Sequence, residues 1–297
     1  MNNNYNEILN RYKNRCKANE DLSKYHTFRI KGSADIVLLP ESKDELVDML
    51  HFCRANDYKY AIIGNGSNII FSNGVYSGIL ITTKNMKNII IDEDNIYCEC
   101  GVPLPLAAIK ALNAGLSGLE KLSGIPGTLG GAIVMNAGAY GSEIKDTLVS
   151  VCVYDKNGKI YDLSKDELDM SYRHSIIKDK ELIVLSCVLK LHEGDPKEIK
   201  ETMDLCKSKR ISSQPLEYPS AGSIFKKGEE YFPGKLIDDL GLKGFSIGGA
   251  AVSEKHANFL INKNNSTAED LQNLILYIQK QVYDKYKVNL KTEVEFI

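Results

Sequence analysis

The stretch that decides the fold is Ser123-Gly-Ile-Pro-Gly-Thr-Leu-Gly-Gly-Ala-Ile-Val-Met-Asn-Ala-Gly-Ala-Tyr-Gly141, near the middle of the 297-residue chain. It contains six glycines in nineteen residues and no charged side chain. Because glycine has no Cβ, a backbone this rich in glycine can pack closely against a large flat ligand. A turn-rich crossing of the core between two domains is the alternative interpretation.

A second glycine-rich loop, Gly64-Asn-Gly-Ser-Asn68, follows a predicted strand at Tyr60-Ala-Ile-Ile63. Consecutive backbone amides in such a loop can form an anion-binding nest for phosphate. The loop is not the Rossmann fingerprint, because the third glycine is missing and Ile69-Ile-Phe71 continues as strand instead of opening a helix. A plain hairpin turn is the alternative interpretation here.

The two loops, interleaved with strands, resemble the FAD-binding domain of the vanillyl-alcohol-oxidase (PCMH) type. The resemblance implies two small α+β subdomains with FAD between them. In that fold both loops cradle the pyrophosphate, and the second loop also lines the flavin. The cofactor-binding residues that the resemblance implies are Gly64, Asn65, Gly66, Ser67, Asn68, Gly124, Ile125, Pro126, Gly127, Thr128, Gly130, Gly131, Asn136, Ala137 and Gly138.

Strands and helices intermix along the chain, which indicates the α+β class. We predict an N-terminal helical segment at residues 1–22, with a helix over about 4–20. An FAD-binding domain follows at 23–195, in two subdomains at about 23–83 and 84–195, and an α+β substrate-binding domain occupies 196–297. The last strand, about 290–297, is expected to return to the active site.

Capping and turn residues predict three local elements. Ser42 and Glu45 form a capping box that opens a helix. Lys156-Asn-Gly is the turn of a hairpin that begins at Leu148. A long helix capped near Ser266 or Thr267 buries one apolar face, which consists of Leu271, Leu274, Ile275, Ile278 and Val282.

Five further motifs follow one another along the chain: Tyr172-Arg-His-Ser175, Pro219-Ser-Ala-Gly-Ser-Ile-Phe-Lys226, Gly234-Lys-Leu-Ile-Asp238, Lys255-His-Ala-Asn-Phe259 and the terminal Glu293-Val-Glu-Phe-Ile297. From about Thr27 to the C-terminus the chain resembles the UDP-N-acetylenolpyruvoylglucosamine reductase (MurB) family of peptidoglycan synthesis. The short gap after Ser175 resembles the subclass that lacks an extra tyrosine-bearing loop. The resemblance implies NADPH-dependent, FAD-mediated reduction of UDP-N-acetylglucosamine enolpyruvate to UDP-N-acetylmuramate.

Hydride addition to the enolpyruvyl double bond creates an enolate that needs a preorganised cation or donor, and then one proton. The resemblance implies that Arg173 stabilises the enolate, that Ser223 donates the proton, and that a protonated Glu293, its pKa raised by burial, assists. Without the resemblance, a surface ion pair and a turn serine are the better interpretations of Arg173 and Ser223. Glu295 is expected to be a surface carboxylate.

Lys226 and the pair Lys209 and Arg210 are candidates for binding the substrate diphosphate, with a solvated basic face as the alternative. Tyr172 and Gly222 complete the predicted substrate-binding set. Lys227 stands where many relatives carry asparagine, and it offers a second phosphate contact in place of an amide hydrogen bond. We assign no chemical step to His256 or Asn258. For His256, a packed structural role is the default interpretation.

Composition bounds the remaining function classes. The formal net charge is -2, which gives no basis for broad capture of nucleic acid or membrane. The polar N-terminus predicts no secretory signal, and no stretch approaches the ~20 apolar residues that cross a bilayer. Seven scattered cysteines without metal-ligand spacing predict reduced thiols, a cytoplasmic location and no metal site. We expect a monomer.

Three alternatives compete with the reductase hypothesis. Another FAD oxidoreductase of the same fold, acting on an alcohol or hydroxy acid, shares the glycine loops but does not account for the serine motif and the terminal glutamate. A UDP-sugar or nucleotide binding module without redox activity would give a colourless protein that FAD does not reconstitute. A scaffold protein leaves the glycine-rich stretch unexplained.

Overall fold

The structure is a computed structural model that describes residues 5–72 and 74–297. Its strands are β1 Cys16–Asp21, β2 Ser33–Leu38, β3 Tyr60–Ile63, β4 Ile69–Ile70, β5 Val75–Thr82, β6 Ile89–Asp92, β7 Asn95–Glu99, β8 Leu116–Ser117, β9 Gly138–Ala139, β10 Ser142–Glu143, β11 Leu148–Tyr154, β12 Ile160–Ser164, β13 Ile183–Lys190, β14 His192–Glu193, β15 Ser246–Ile247, β16 Ala250–Val252, β17 Leu260–Asn262 and β18 Glu295–Phe296.

Its α-helices are α1 Asn6–Arg11, α2 Lys43–Ala55, α3 Leu104–Asn113, α4 Leu129–Val134, α5 Ile176–Asp179, α6 Pro196–Ser213, α7 Pro233–Asp239 and α8 Ala268–Tyr286. This mixture confirms the predicted α+β class. None of the helices in the described part of the chain is long and apolar enough to span a bilayer.

The chain divides into two compact units. Unit 1 comprises the chain up to Lys17, then Val37–Asn65 and Ile79–Lys209. Unit 2 comprises Ala18–Ile36, Gly66–Gly78 and Arg210–Ile297. The boundaries given above for the FAD-binding and substrate-binding domains concern ligand binding, and they stay a prediction.

A five-stranded antiparallel sheet in the order β12-β11-β13-β7-β6 is the main sheet of unit 1. The predicted hairpin around Lys156-Asn-Gly is confirmed as the connection between β11 and β12. Asp155 closes its turn by accepting hydrogen bonds from the Asn157 and Lys159 amides at 2.8 and 2.9 Å. Gly158 takes the left-handed conformation, φ +81°, that such a turn needs.

Strands β1, β2, β5 and β3 form a four-stranded sheet in that order, within which β3 and β5 run parallel. Ser42 caps α2 as predicted, since its hydroxyl accepts from the Glu45 amide at 3.2 Å. The Glu45 carboxylate accepts instead from the Glu41 amide at 2.8 Å, so the expected box is completed one residue earlier.

The prediction of a helix over residues 4–20 is wrong beyond Arg11, and residue 4 itself lies outside the described part of the chain. Only α1 is helical there, and β1 occupies Cys16–Asp21. Strand β1 is the neighbour of β2 in the sheet, and this pairing supplies the backbone hydrogen bonds that the predicted helix would have made internally. Pairing with a partner distant in sequence overrides local propensity.

Unit 2 contains the three-stranded sheet β15-β16-β17 and the long helix α8. Thr267 caps α8 in a reciprocal box with Asp270. The predicted apolar face is confirmed, because all five of its residues are buried: Leu271, Leu274, Ile275, Ile278 and Val282. They belong to a hydrophobic cluster that also includes Ile224, Phe225 and Val294.

The chain ends in β18, which pairs in parallel with β4 and places Glu295 opposite Ile69. Regular strand therefore covers two residues instead of the predicted 290–297. Val294 is buried, whereas Phe296 is 40% exposed. Two terminal backbone bonds extend the pairing, from the Ile297 amide to the Ile70 carbonyl and from the Ser72 amide to the Ile297 carbonyl, both at 2.9 Å.

Candidate functional site

The two glycine-rich loops meet in unit 1. Asn65 donates its side-chain amide to the Pro126 carbonyl oxygen at 2.6 Å. A Cβ built on Gly64 would lie 2.1 Å from the Thr128 hydroxyl oxygen, so a residue with a side chain does not permit this approach. The start of the first loop is thus held against the Pro126–Thr128 part of the second.

A cavity of about 280 Å³ opens beside this junction. Its lining consists of Asn65, Lys84, Asn85, Lys87, Gly101, Pro103, Pro105, Pro126, Gly127 and Thr128. Lys84, Asn85 and Lys87 were not predicted as site residues. The fold brings them to the cavity, because the segment carrying them leaves the carboxyl end of β5, and the first loop leaves the carboxyl end of its parallel neighbour β3.

The lysines make one wall of the cavity positive. Lys84 is half-buried, and burial is the main cause that lowers the pKa of its ammonium. The nearby charge of Lys87 lowers the pKa of Lys84 further. Both effects act against positive charge on Lys84, and an anion in the cavity would oppose both.

Gly130, predicted to contact the cofactor, packs closely against the chain that follows β7. It is buried, and its amide donates to the Cys100 carbonyl at 2.8 Å. A Cβ at this position would lie 2.9 Å from the Cys100 Cβ. Close packing against the residue that follows β7 accounts for this glycine. At this one position, the observation agrees with the alternative interpretation of the stretch as a crossing of the core.

Asn136 connects the glycine-rich stretch to the segment that carries Arg173. Its fully buried side chain donates to the Glu143 carboxylate and to the Ser171 carbonyl, both at 3.0 Å. Its amide oxygen accepts from the Lys145 amide at 3.3 Å. The Asn136 side chain is therefore committed to contacts within the protein.

Arg173 lies against the same stretch. Its guanidinium donates to the carbonyl oxygens of Asn136 and Gly138 at 3.5 Å each, and it stacks over the Tyr172 ring at 5.1 Å from the ring centre. The Arg173 backbone is left-handed, with φ +55°. The structure thus brings together the predicted residues Asn136, Gly138, Tyr172 and Arg173.

The serine motif runs between two partner segments in unit 2. Isolated bridges pair Ser223 with Phe259 and Phe225 with Thr292. The Glu293 amide donates to the Ile224 carbonyl at 2.7 Å. The partly exposed residues Ser223 and Glu293 are consequently on neighbouring backbones.

Asn258 fixes the backbone of this motif. Its side-chain oxygen accepts from the Phe225 amide at 3.1 Å, and its side-chain nitrogen donates to the Phe225 carbonyl at 2.9 Å. The Asn258 amide donates to Nδ1 of His256 at 3.2 Å. Burial lowers the pKa of His256, and its ring packs edge-on against Phe259 at 4.9 Å.

The end of the first loop also reaches the C-terminus within unit 2. Asn68 donates its side-chain amide to the Glu293 carbonyl at 3.0 Å, and its own carbonyl accepts from the Glu295 amide at 2.9 Å. Gly66 has φ +62°, and a Cβ there would lie 2.1 Å from the Tyr25 carbonyl oxygen. Two residues predicted for different roles, Asn68 and Glu293, are therefore bonded directly.

The remaining predicted residues are those assigned to substrate binding, and their positions in the fold are as follows. Lys209 and Arg210 lie near the C-terminal end of α6, and Lys227 is exposed. Gly222 precedes Ser223 with φ +78°, which allows the chain to turn there. Lys226 anchors its backbone by donating to the Lys291 carbonyl at 2.9 Å. The roles proposed for these residues stay predictions.

Comparison with known proteins adds independent findings. Residues 214–297 match the family model described as the C-terminal domain of UDP-N-acetylenolpyruvoylglucosamine reductase, and residues 34–164 match an FAD binding domain. A protein of that name from Caldanaerobacter subterraneus subsp. tengcongensis is 46% identical, over 94% of this chain and 92% of its own. Another, from Clostridium botulinum, is 43% identical over 96% of this chain and 93% of its own.

Among solved structures, the UDP-N-acetylenolpyruvylglucosamine reductase (MurB) of Thermus caldophilus aligns with a TM-score of 0.78 at 33% identity. The alignment covers 95% of this chain and 97% of that one. The likeness therefore extends over nearly the whole of both chains and is not confined to one domain.

Proposed function

This chain belongs to the UDP-N-acetylenolpyruvoylglucosamine reductase family, and from that premise we propose how its residues divide the work of the reaction. The protein is an FAD- and NADPH-dependent reductase that converts UDP-N-acetylglucosamine enolpyruvate to UDP-N-acetylmuramate for peptidoglycan precursor synthesis. The resident cofactor is FAD, which when bound accepts hydride from NADPH and passes it to the enolpyruvyl double bond.

The loop junction fits the phosphate part of FAD. Gly127 leaves backbone without a side chain at the edge of the cavity, where a diphosphate can come near. We assign Asn65, Pro126, Gly127 and Thr128 to this task, because they line the cavity. Gly130 and the Asn136 side chain hold the second glycine-rich loop in position through their contacts with the protein.

Arg173 is assigned to the substrate carboxylate. Its planar guanidinium can form two parallel hydrogen bonds to a carboxylate and stabilise the negative charge of an enolate. The Tyr172 ring and the carbonyls of Asn136 and Gly138 hold the guanidinium in one orientation. Such preorganisation lowers the reorganisation needed when charge develops.

Ser223 is assigned as the donor of the proton that the substituted carbon receives. Glu293 in its protonated form hydrogen-bonds the substrate and assists. The observation that supports this assignment is the 2.7 Å bond from the Glu293 amide to the Ile224 carbonyl, which joins the Glu293 backbone to that of the serine motif. Lys226, Lys227, Lys209 and Arg210 are assigned to the substrate diphosphate.

Three finer proposals concern the protein in the cell and in its family. All seven cysteines are free thiols, as is expected in a reducing cytoplasm, where we place the enzyme. We propose a monomer. We also assign the chain to the subclass without the tyrosine-bearing loop, since only α5, β13 and β14 stand between Ser175 and α6.

Anaerobic stopped-flow measurement of the two half-reactions tests the assignment. Ser223→Ala should leave flavin reduction by NADPH at the wild-type rate and slow reoxidation by UDP-N-acetylglucosamine enolpyruvate by ~10²–10⁴-fold, since a positioned proton donor contributes that much. Ser220→Ala, three residues earlier, is the matched control and should change neither rate. Equal slowing of both half-reactions would remove Ser223 from the proton-transfer role.

A further inference from the structure

The cavity beside the loop junction has two cations that the reaction, as derived above, does not use. Lys84 and Lys87 follow the carboxyl end of β5, and Asn65 follows that of the parallel strand β3. The crevice outside the carboxyl ends of parallel strands is a common position for nucleotide phosphates. Strand topology and charge thus agree on the chemical class of ligand.

We propose that Lys84 and Lys87 bind the diphosphate of FAD in this cavity and make the flavin site selective for the dinucleotide over phosphate-free flavins. This inference rests on the proposed function and adds two positioning residues to it. Neither lysine is adjacent to a glycine motif in the sequence, so the motifs alone do not reveal them.

The size of the cavity indicates that it holds a part of FAD and not the whole cofactor. Its volume of about 280 Å³ lies just below the ~300–1,000 Å³ of sites that enclose a drug-sized ligand. It suits a diphosphate with an adjoining group better than an entire FAD. The rest of the cofactor then extends out of the cavity.

The electrostatics support an anionic occupant. Half-burial of Lys84 and the proximity of Lys87 both oppose positive charge in the free cavity. A diphosphate placed between the two ammonium groups reverses both effects, because opposite charge within a few ångströms favours the charged form. Lysine serves such phosphate groups as a point charge.

Equilibrium binding to the apoprotein, followed by flavin fluorescence, distinguishes the phosphate from the ring. FAD and riboflavin are the two probes, and Lys84→Met, Lys87→Met and Lys84→Arg are the variants. Lys156→Met, in the exposed turn of the β11–β12 hairpin, is the matched control. We expect the Kd for FAD to rise about tenfold or more in both lysine-to-methionine variants, because each loses a charge-assisted hydrogen bond.

The same variants should bind riboflavin as the wild type does, Lys84→Arg should retain most of the FAD affinity, and Lys156→Met should change nothing. Equal weakening of FAD and riboflavin, or an unchanged Kd for FAD, would overturn the proposal. An unchanged Kd for FAD with a raised KM for NADPH would assign the cavity to the nicotinamide dinucleotide instead. A wild-type protein that binds no FAD would refute the proposed function itself.

Discussion

At the scale of single residues, the buried Asn258 side chain fixes the backbone between two predicted site residues, Ser223 and Lys226. Asn258 satisfies both polar groups of the Phe225 backbone, and its own carbonyl accepts from the Ile224 amide at 2.9 Å. Ser223 lies just before this doubly bonded pair, and Lys226 just after it. The position of both therefore depends on one buried amide.

Asn258→Asp tests this dependence through pH. Protonated aspartic acid can still donate to the Phe225 carbonyl, whereas an ionised carboxylate cannot and would repel it. Burial raises the pKa of such a carboxyl, so the variant should lose substrate-driven reoxidation, by about tenfold, as pH rises through that pKa and regain it as pH falls. Stopped-flow rates across pH check this, with wild type as the control.

Flavin reduction by NADPH should stay at the wild-type level in Asn258→Asp over the same pH range. If both half-reactions decline together, or if the melting temperature falls in parallel with the rate, Asn258 has a general structural role and no specific one.

At Arg173, another of the predicted catalytic residues, the variant Arg173→Lys separates the effect of charge from that of geometry. Lysine keeps the positive charge but loses the planar fork and the stacking on Tyr172. We expect reoxidation by the enolpyruvyl substrate to slow by about 10²-fold, as for the loss of one donor to a developing oxyanion. Arg54→Lys on α2, where the guanidinium donates to the Tyr154 hydroxyl, is the control.

Sequence motifs predicted these residues but not their partners. Arg173 and Asn136 were both proposed as site residues, yet their contact depends on a fold in which 37 residues separate them. The pairing of Asn68 with Glu293 spans 225 residues. Motif recognition identifies a residue type in a local context, and it carries no information on which distant backbone lies beside it.

At the scale of elements, local signals predicted α8 well. The Thr267 hydroxyl accepts from the Asp270 amide at 3.0 Å, and the Asp270 carboxylate accepts from the Thr267 amide at 2.9 Å and the Gly249 amide at 3.1 Å. Thr267→Ala should lower the free energy of unfolding by ~1 kcal/mol, as the loss of an N-cap does. Urea titration measures this, and Thr267→Ser should retain most of the stability.

The Asp270 carboxylate gives the same box a pH dependence. The hydrogen bond from the Thr267 amide is the main cause that lowers the pKa of Asp270. A depressed folded-state pKa contributes stability that is complete above the unfolded value of about 3.9 and is lost as pH falls through the folded pKa. The stability gap between wild type and Asp270→Asn should therefore be largest near neutral pH and shrink below about pH 4 in urea titrations. A gap independent of pH would contradict this.

Elements that depend on distant pairing were predicted less well. The hairpin of β11 and β12 was found because its turn and both strands are contiguous in sequence. The prediction of a helix over residues 4–20 was wrong because β1 hydrogen-bonds to β2. The local sequence of residues 16–21 carries no information on that pairing. Lys84 and Lys87 were missed for the same reason, since only the parallel pairing of β3 with β5 brings them to the first loop.

At the scale of the whole molecule, each unit is assembled from separated chain segments. Unit 2 takes residues from the N-terminal third of the chain and from its last 88 residues, Arg210–Ile297. The pairing of β4 with β18 joins these segments within the unit. Contacts of such sequence separation slow folding, because loop closure precedes the contacts that stabilise it.

The C-terminal segment is therefore predicted to serve both stability and chemistry, and two variants can separate these roles. Deletion of residues 293–297 removes the carboxyl group, the β4–β18 pairing and the Asn68 contact together. We expect this deletion to lower the free energy of unfolding, measured in urea, and to abolish turnover. Glu293→Gln keeps every backbone bond and replaces only the acid.

Glu293→Gln should unfold at the wild-type urea concentration and reduce its flavin with NADPH at the wild-type rate. Its reoxidation by the enolpyruvyl substrate should slow by ~10²-fold or more, because an amide is a much weaker acid than a protonated carboxyl and stabilises a developing enolate less well. Normal turnover in this variant would discard the acid role of Glu293. The loss of activity on deletion would then follow from the missing strand alone, and β18 would be a structural element whose removal disturbs the first loop through Asn68.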